Sequence, residues 1–326
     1  MSRRPAWLTL TALLSALVAV VVVWPQALGL AGRFGPAQVV AMRGLGVAVG
    51  GALLLVLVVA AVVVARARPY VVTVAVVAGL ATAFSAGVVL WRGLGGPDAE
   101  ETGGGMRVLA FNTLHDGVAA ADLAALVTST GADIVVLTET SQATTHKVAA
   151  LAGGGFQVFH HQVDAGVTSA TGLLVAGSVG QYGTPQPDPG SGLGTFTVRS
   201  PTPGAPPITA VHAYPPTRQT MDAWRADTSE AVRRCRDLDG AIAAGDFNAT
   251  LDHPVLRSLG PCVDAATQRG AGSVGTWPAG WPAWAGAPID HVLADGRTWD
   301  VTGFSVLDPV GGSDHRPVVA VLRRAS

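Results

Sequence analysis

Apolar positions are distributed unevenly along this chain. Three long uncharged stretches come first, Pro5 to Gly32, Gly44 to Ala65 and Pro69 to Trp91. Each exceeds the roughly 18 apolar residues with which a helix crosses a hydrocarbon core. Lipid offers no hydrogen-bond partner to a backbone amide, so such stretches must be helices. The pattern predicts membrane helices over 6–30, 44–65 and 69–91. A cleaved leader is the weaker reading of the first stretch, because Trp24-Pro25-Gln26 lacks the small residues of a cleavage site.

After the third stretch the pattern changes. GLGGPDAEETGGG reads as a flexible linker over 92–105. From Met106 to the end, residues 106–326, short apolar runs bounded by turn residues predict a globular domain. MRVLAFNTL, ADIVVLTET, TGLLVAGS, GTFTVRS, PITAVHAY, GAIAAGDFNAT, IDHVLAD and HRPVVAVLRR read as strands. AADLAALVTSTG reads as a helix stopped by Gly131, and DAWRADTSEAVRRCRDL as a charged surface helix. Many strands with few helices between them predict layered α/β structure with mixed sheets. The βαβ rhythm of a doubly wound sheet is not sustained.

Charge refines this picture in two places. Arg3 and Arg4 flank the first stretch, and Arg66 and Arg68 lie in the short turn between the second and third. The positive-inside rule places both in the cytoplasm, and hence everything after Trp91 on the extracytoplasmic side. Arg33 and Arg43 then face outward on a longer loop. Of 21 Lys and Arg and 22 Asp and Glu, 7 and 3 precede Met106, leaving 14 against 19 and a net of −5 in the globular part. That balance argues against a protein that grips long nucleic acid through a basic surface, without excluding a DNA substrate. The two cysteines, Cys235 and Cys262, are either a disulfide or two buried thiols.

Polar residues gather at strand ends. Asn112, Glu139, His212, Asp246 with Asn248, Asp290, and Asp314 with His315 all lie at or just beyond a strand terminus, where a side chain can reach a shared cleft. Singly, each has a plain structural reading. Asn112 and the GDFNAT segment suit turns, Glu139 a solvated carboxylate, His212 a satisfied core imidazole, and Asp314-His315 a local cap. Jointly they are chemically complementary for phosphate-ester hydrolysis. Glu139 and Asp314 are hard oxygen ligands for a divalent cation. His315 suits a base for water attack, with Asp290 fixing its tautomer. Asn112 and Asn248 can donate to the phosphoryl group, and His212 can protonate the leaving oxygen or hold a non-bridging one.

The order LAFNTL, DIVVLTET, VHAYPP, GDFNAT, IDHVL, GSDHRPV resembles the endonuclease/exonuclease/phosphatase family, from about Met106 to Arg324. The resemblance implies a four-layered α/β sandwich, two packed mixed β-sheets flanked by helices, here preceded by three transmembrane helices. It implies Mg²⁺ or Mn²⁺ as cofactor, with Glu139 as the metal-binding glutamate, Asp246 and Asn248 as the GDxN pair and Asp290 orienting the catalytic histidine. Asp314 and His315 match the SDH motif, and His212 matches the second histidine of the nuclease and sphingomyelinase branches. One departure is Leu114, where repair-type members carry an aspartate; His115 and Asp116 follow it. The loop GTWPAGWPAWAGAP, with Trp277, Trp281 and Trp284, can stack bases or a sugar, dip into the outer lipid surface, or pack as a Pro-rich loop.

The expected protein is therefore a membrane-anchored, metal-dependent phosphoesterase. Its substrate is a phospholipid head group, a nucleic acid or a small phosphoester, and its standing partner is the bilayer. The competing reading is a silent receptor or scaffold that kept the fold. A transporter is disfavoured, because the three stretches hold no charge to mark an ion path.

Overall fold

The computed structural model describes residues 4–95, 104–188 and 190–325. Most of the expected linker, 96–103, lies outside the described residues. Among the described residues, three helices are long and apolar enough to cross a membrane. They are α1 (Arg4–Val23), α3 (Arg43–Val63) and α4 (Arg68–Arg92), with the short α2 (Pro36–Ala41) between the first two. The first expected helix ran to residue 30, but α1 stops at Val23. Pro25 lacks a donor and biases Trp24 away from helical geometry, so the chain continues as one 3-10 turn, Pro25–Leu28.

The globular part begins with β1 (Met106–Asn112), α5 (Ala120–Thr130), β2 (Ile134–Thr138), α6 (Gln142–Leu151), β3 (Phe156–Gln162) and β4 (Ala170–Ala176). It continues with β5 (Gln186–Pro187), β6 (Phe196–Val198), β7 (Ile208–His212), α7 (Met221–Asp237), β8 (Ile242–Asp246) and β9 (Cys262–Asp264). It closes with α8 (Ala265–Gln268), β10 (Asp290–Asp295), β11 (Trp299–Val306) and β12 (Val318–Arg324). Among the described residues these strands form two 6-stranded mixed sheets, ordered β11-β12-β1-β2-β4-β3 and β5-β6-β7-β8-β10-β9.

Both central strands of each sheet are apolar on both faces, because both faces are covered. Val108, Ala110, Ile134 and Val136 meet Ile208, Ala210, Ile242, Ala244 and Val292 in the core between the sheets. The other faces take the helices. Leu123, Val127 and Val148 of α5 and α6 cover Leu109, Phe111 and Leu137, and Trp224 and Val232 of α7 cover Val211, Ala243 and Leu293. The result is a four-layered α/β sandwich. Cys235 at the end of α7 and Cys262 in β9 form a disulfide, 2.09 Å between sulfurs.

Pairing decides where the polar residues go. β1 and β2 are parallel with Asn112 opposite Thr138, and β7 and β8 are parallel with His212 opposite Asp246. β10 runs antiparallel to β8 with Asp290 opposite Asp246. Two strand pairs thus end, and a third strand begins, at one edge of the sandwich. Close approach here needs glycine: Gly245 has φ 138°, and a Cβ on it would lie 2.0 Å from the Val211 carbonyl oxygen.

The sandwich is seated on the helices through a buried ion cluster. Arg43 at the start of α3 and Arg92 at the end of α4 both pair with Asp252, at 2.6 and 2.8 Å. Burial would raise the Asp252 carboxyl, but the two guanidiniums hold it below the usual range. Gln26 donates to the Asp252 backbone carbonyl (3.0 Å), and His253 Nε2 to that of Ala37 (3.0 Å). Gly95 N donates to Gly270 O at 2.9 Å.

Candidate active site

The site starts from a strained turn. After β1 the chain places Leu114, His115 and Asp116 in succession in the left-handed region, at φ 50°, 55° and 60°. Such a run of non-glycine residues persists only where its surroundings impose it. Here three of the contacts converge on one glutamate. His115 N donates to Glu139 Oε2 at 3.2 Å, Asp116 N to the Glu139 carbonyl at 2.9 Å, and His115 Nε2 lies 3.1 Å from Glu139 Oε2. Glu139 itself is left-handed, at φ 54°. The turn wraps the carboxylate and aims it into the cleft.

From Glu139 the polar groups run on in contact. Asn112 Nδ2 donates to Glu139 Oε1 and to Asp246 Oδ2, both at 3.1 Å, and Asn112 Oδ1 accepts from Leu114 N at 2.9 Å. Asn248, at φ 47°, donates from Nδ2 to Ala213 O (3.0 Å) and Asp246 Oδ2 (3.2 Å). Both asparagines, expected to face the phosphoryl group, spend their amide protons in this structure on orienting carboxylates and a carbonyl.

The imidazole of His315 sits at the centre. Its Nδ1 donates to Asp290 Oδ2 at 2.8 Å, while Nε2 faces Asp246 Oδ2 at 3.8 Å and Asp314 Oδ1 at 3.9 Å. Ser313 Oγ ties this segment to β1, donating to Asn112 O (2.6 Å) and accepting from His315 N (3.0 Å). Thr276 Oγ1 fixes the start of β10, accepting from Asp290 N at 3.2 Å. Burial disfavours an imidazolium at His315, yet Asp290, Asp246 and Asp314 outweigh it and push the pKa up to about 10. Burial raises the Asp246 carboxyl to about 7, an effect that His315 opposes and Asp290 reinforces.

His212 behaves differently. Its Nδ1 donates to Leu193 O at 3.1 Å, so Nε2, 3.9 Å from Glu139 Oε1, carries a lone pair in the neutral ring. Burial, aided by the charge on His315, lowers its pKa to about 3. Its expected role as a donor therefore requires a proton that the site resists giving it.

The donor set fits a hard cation. Asp246, Asp290 and Asp314 face His315, and Glu139 is joined to Asp246 through Asn112, so carboxylates outnumber the imidazole in a site where Glu139, Asp246 and Asp290 are buried. Asp314 Oδ1 and Asp290 Oδ1 are buried without a hydrogen-bond partner. Asp246, Asp290 and His315 each offer an atom within 4.8 Å of the others. Two of those three are already joined to each other, so this triplet reads as a base and its orienting acid beside a carboxylate. Glu139 and Asp314, the two ligands expected from the sequence, lie outside that triplet.

All eight residues singled out in the sequence lie at this one edge. Two more belong with them. His115 was noted in the sequence without a role, and its contact with Glu139 is made by the left-handed turn, which spacing does not reveal. Trp277 Nε1 donates to Asp314 Oδ2 at 2.8 Å, a contact bridging 37 positions. Its only sequence signal was the tryptophan-rich loop.

The family model of the Endonuclease/Exonuclease/phosphatase family matches residues 109–315. The chain belongs to this family. Solved structures share the fold at low identity. The endonuclease/exonuclease/phosphatase from Beutenbergia cavernae is 18% identical with a TM-score of 0.53, over 68% of this chain and 72% of that one. The human Nocturnin catalytic domain, solved with a bound sulfate anion, is 14% identical with a TM-score of 0.52, over 68% and 95%. Danio rerio TDP2, solved with a single-strand DNA product, is 13% identical with a TM-score of 0.52, over 68% and 100%. No curated protein sequence is significantly similar to the chain.

Proposed function

We propose that this protein is a membrane-anchored, divalent-metal-dependent phosphoesterase that hydrolyses its substrate by water attack. The observation that carries the reading is the 2.8 Å bond from His315 Nδ1 to Asp290, with His315 Nε2 turned toward Asp246 and Asp314. That bond fixes the tautomer in which Nε2 can take a proton and stabilises the imidazolium that results. Glu139 and Asp314, with Asp246 beside them, would hold Mg²⁺ or Mn²⁺. Bound there, the ion supplies polarisation of a phosphoryl oxygen and a positive field that lowers the proton affinity of His315. Asn112 and Asn248 position Glu139 and Asp246, and His212 accepts at the edge of the cleft without serving as a resting acid.

The division of the chain follows the same reading: residues 1–91 a membrane domain, 92–105 a linker, 106–326 the catalytic domain. Two observations favour an extracytoplasmic catalytic domain. The Cys235–Cys262 disulfide suits an oxidising compartment. In the sequence, Arg3, Arg4, Arg66 and Arg68 flank one side of the three apolar stretches against Arg33, Arg43 and Arg92 on the other, a modest positive-inside bias in the same direction. The silent-scaffold alternative gains nothing from an imidazole held between three carboxylates.

The test uses the full chain in detergent with bis-(p-nitrophenyl) phosphate and Mg²⁺ or Mn²⁺. His315→Ala should cut turnover about 10²- to 10⁴-fold while the protein stays folded. Equal turnover in variant and parent would remove His315 from the chemistry.

A further inference from the structure

The loop that carries Trp277 runs from the active site to the membrane helices. At one end, Trp277 donates to the carboxylate of Asp314. At the other, the Trp284 carbonyl oxygen packs so tightly on Gly44 of α3 that a Cβ there would lie 1.8 Å away. Gly44 is the second residue of α3, whose 21 residues span about 31 Å at 1.5 Å each. That length matches a hydrocarbon core of about 30 Å, so Gly44 lies at the membrane boundary.

Between these anchors the loop is held firmly. Arg316 donates to Ala279 O at 2.7 Å and Trp281 O at 2.6 Å, and Ala279 N donates to Asp314 O at 2.6 Å. Its side chains nonetheless face outward: Trp277, Trp281 and Trp284 are 37%, 46% and 51% exposed. No charged residue occurs between Val274 and Ile289. Trp24 and Trp91, beside the ends of α1 and α4 at this same side of the bundle, are 47% and 79% exposed. Tryptophan at this depth is the aromatic belt of a bilayer interface.

We infer that the Trp277–Trp284 loop is a rim inserted in the membrane interface, and that the cleft it borders acts on a phosphoester carried by a lipid. This rests on the phosphoesterase reading. The ion cluster of Arg43, Asp252 and Arg92 keeps the sandwich from swinging away, so the cleft stays at the lipid surface. A substrate that remains in the bilayer reaches Asp314 by lateral diffusion, at a concentration far above that of a dilute soluble ester.

Two arms test this on the full chain in phosphatidylcholine nanodiscs. Both native cysteines are in the disulfide, so an introduced cysteine is a unique thiol. A nitrobenzoxadiazole dye is placed on Trp281→Cys and, for comparison, on Asp239→Cys, in the exposed turn between α7 and β8, at the strand end opposite the site. The inference expects blue-shifted emission, quenched by headgroup-labelled lipid, at 281 only. Water-like emission at both positions would overturn it. The second arm compares hexadecyl and ethyl p-nitrophenyl phosphate, which share one scissile bond. Preference for the hexadecyl ester by about tenfold or more, falling as inert lipid dilutes it, supports a lipid-borne substrate. Equal turnover of the two, lost in His315→Ala, would overturn the inference and leave the phosphoesterase reading intact. No turnover of either with any metal would count against the phosphoesterase reading itself, with the dye still reporting on the rim.

Discussion

At the scale of single residues, the site works by assigning one partner to each polar atom and leaving a few atoms over. Asp290 gives one oxygen to His315 and keeps the other buried and unpartnered. Asp290→Asn should leave the fold intact yet lower turnover about 10²- to 10⁴-fold, because an amide can hold the wrong tautomer. Steady-state kinetics beside a circular dichroism spectrum checks it. His253 offers a second residue-scale test, on stability. Its Nδ1 accepts from Thr250 N at 2.8 Å, and its Nε2 donates to Ala37, so the ring is buried neutral. Burial lowers its pKa to about 4, against 6.5 when exposed. The folded-state value is depressed, so the unfolded chain binds the extra proton between those values. Stability is therefore lost as pH falls from about 6.5 to about 4. Asp188 and Asp227, both raised to about 6 by burial, act in the opposite sense across part of that window. The prediction is accordingly a difference: His253→Gln should show a weaker acid-side loss than the parent, read from chemical denaturation at several pH values.

At the scale of elements, strand register brings the strand-end polar groups together. Parallel β7 and β8 put His212 beside Asp246 only because Gly245 lets their backbones approach. Gly245→Ala requires both a strained φ and a displaced carbonyl, and should cost at least about 3 kcal/mol, read from thermal or urea unfolding. Much of this level was legible beforehand. Each strand run named in the sequence became a strand, because an apolar segment with covered faces is nearly continuous in Val, Ile, Leu and Ala. The strand-end residues could be collected for the same reason, since they stand where apolar runs stop. The left-handed turn at 114–116 was not legible, because no glycine announced it; the cost of that turn is met by contacts with Glu139, 23 or more positions away in sequence. The partnership of Trp277 with Asp314 was hidden likewise, since a loop's path depends on what it packs against. The end of α1 at Val23 was readable from Pro25, but hydropathy alone ran past it.

At the scale of the whole molecule, the distinctive feature is the seat of the sandwich on the helices. Asp252 lies just past the GDFN segment and takes both Arg43 and Arg92. Two helices and the sandwich thus meet at one buried carboxylate. Removing it leaves two arginines without a counter-charge, a change of about 3–5 kcal/mol in comparable buried pairs. Asp252→Ala should loosen the docking, and amide hydrogen exchange should rise around Gln26, Ala37 and Gly270 before it rises in the sheets. Unchanged exchange in those segments would show that other contacts carry the interface.

A metal-dependent phosphoesterase centre that uses Glu139, Asp246 and Asp314 beside His315 makes turnover conditional on the ion. The most direct measurement strips the full-length protein with EDTA, restores Mg²⁺ or Mn²⁺, and follows bis-(p-nitrophenyl) phosphate hydrolysis in the parent and in Glu139→Gln. Turnover should vanish when the protein is stripped and recover on restoring the ion, and Glu139→Gln should show a large loss that excess ion only partly restores. Turnover that persists through EDTA, or a Glu139→Gln protein as active as its parent, would contradict it.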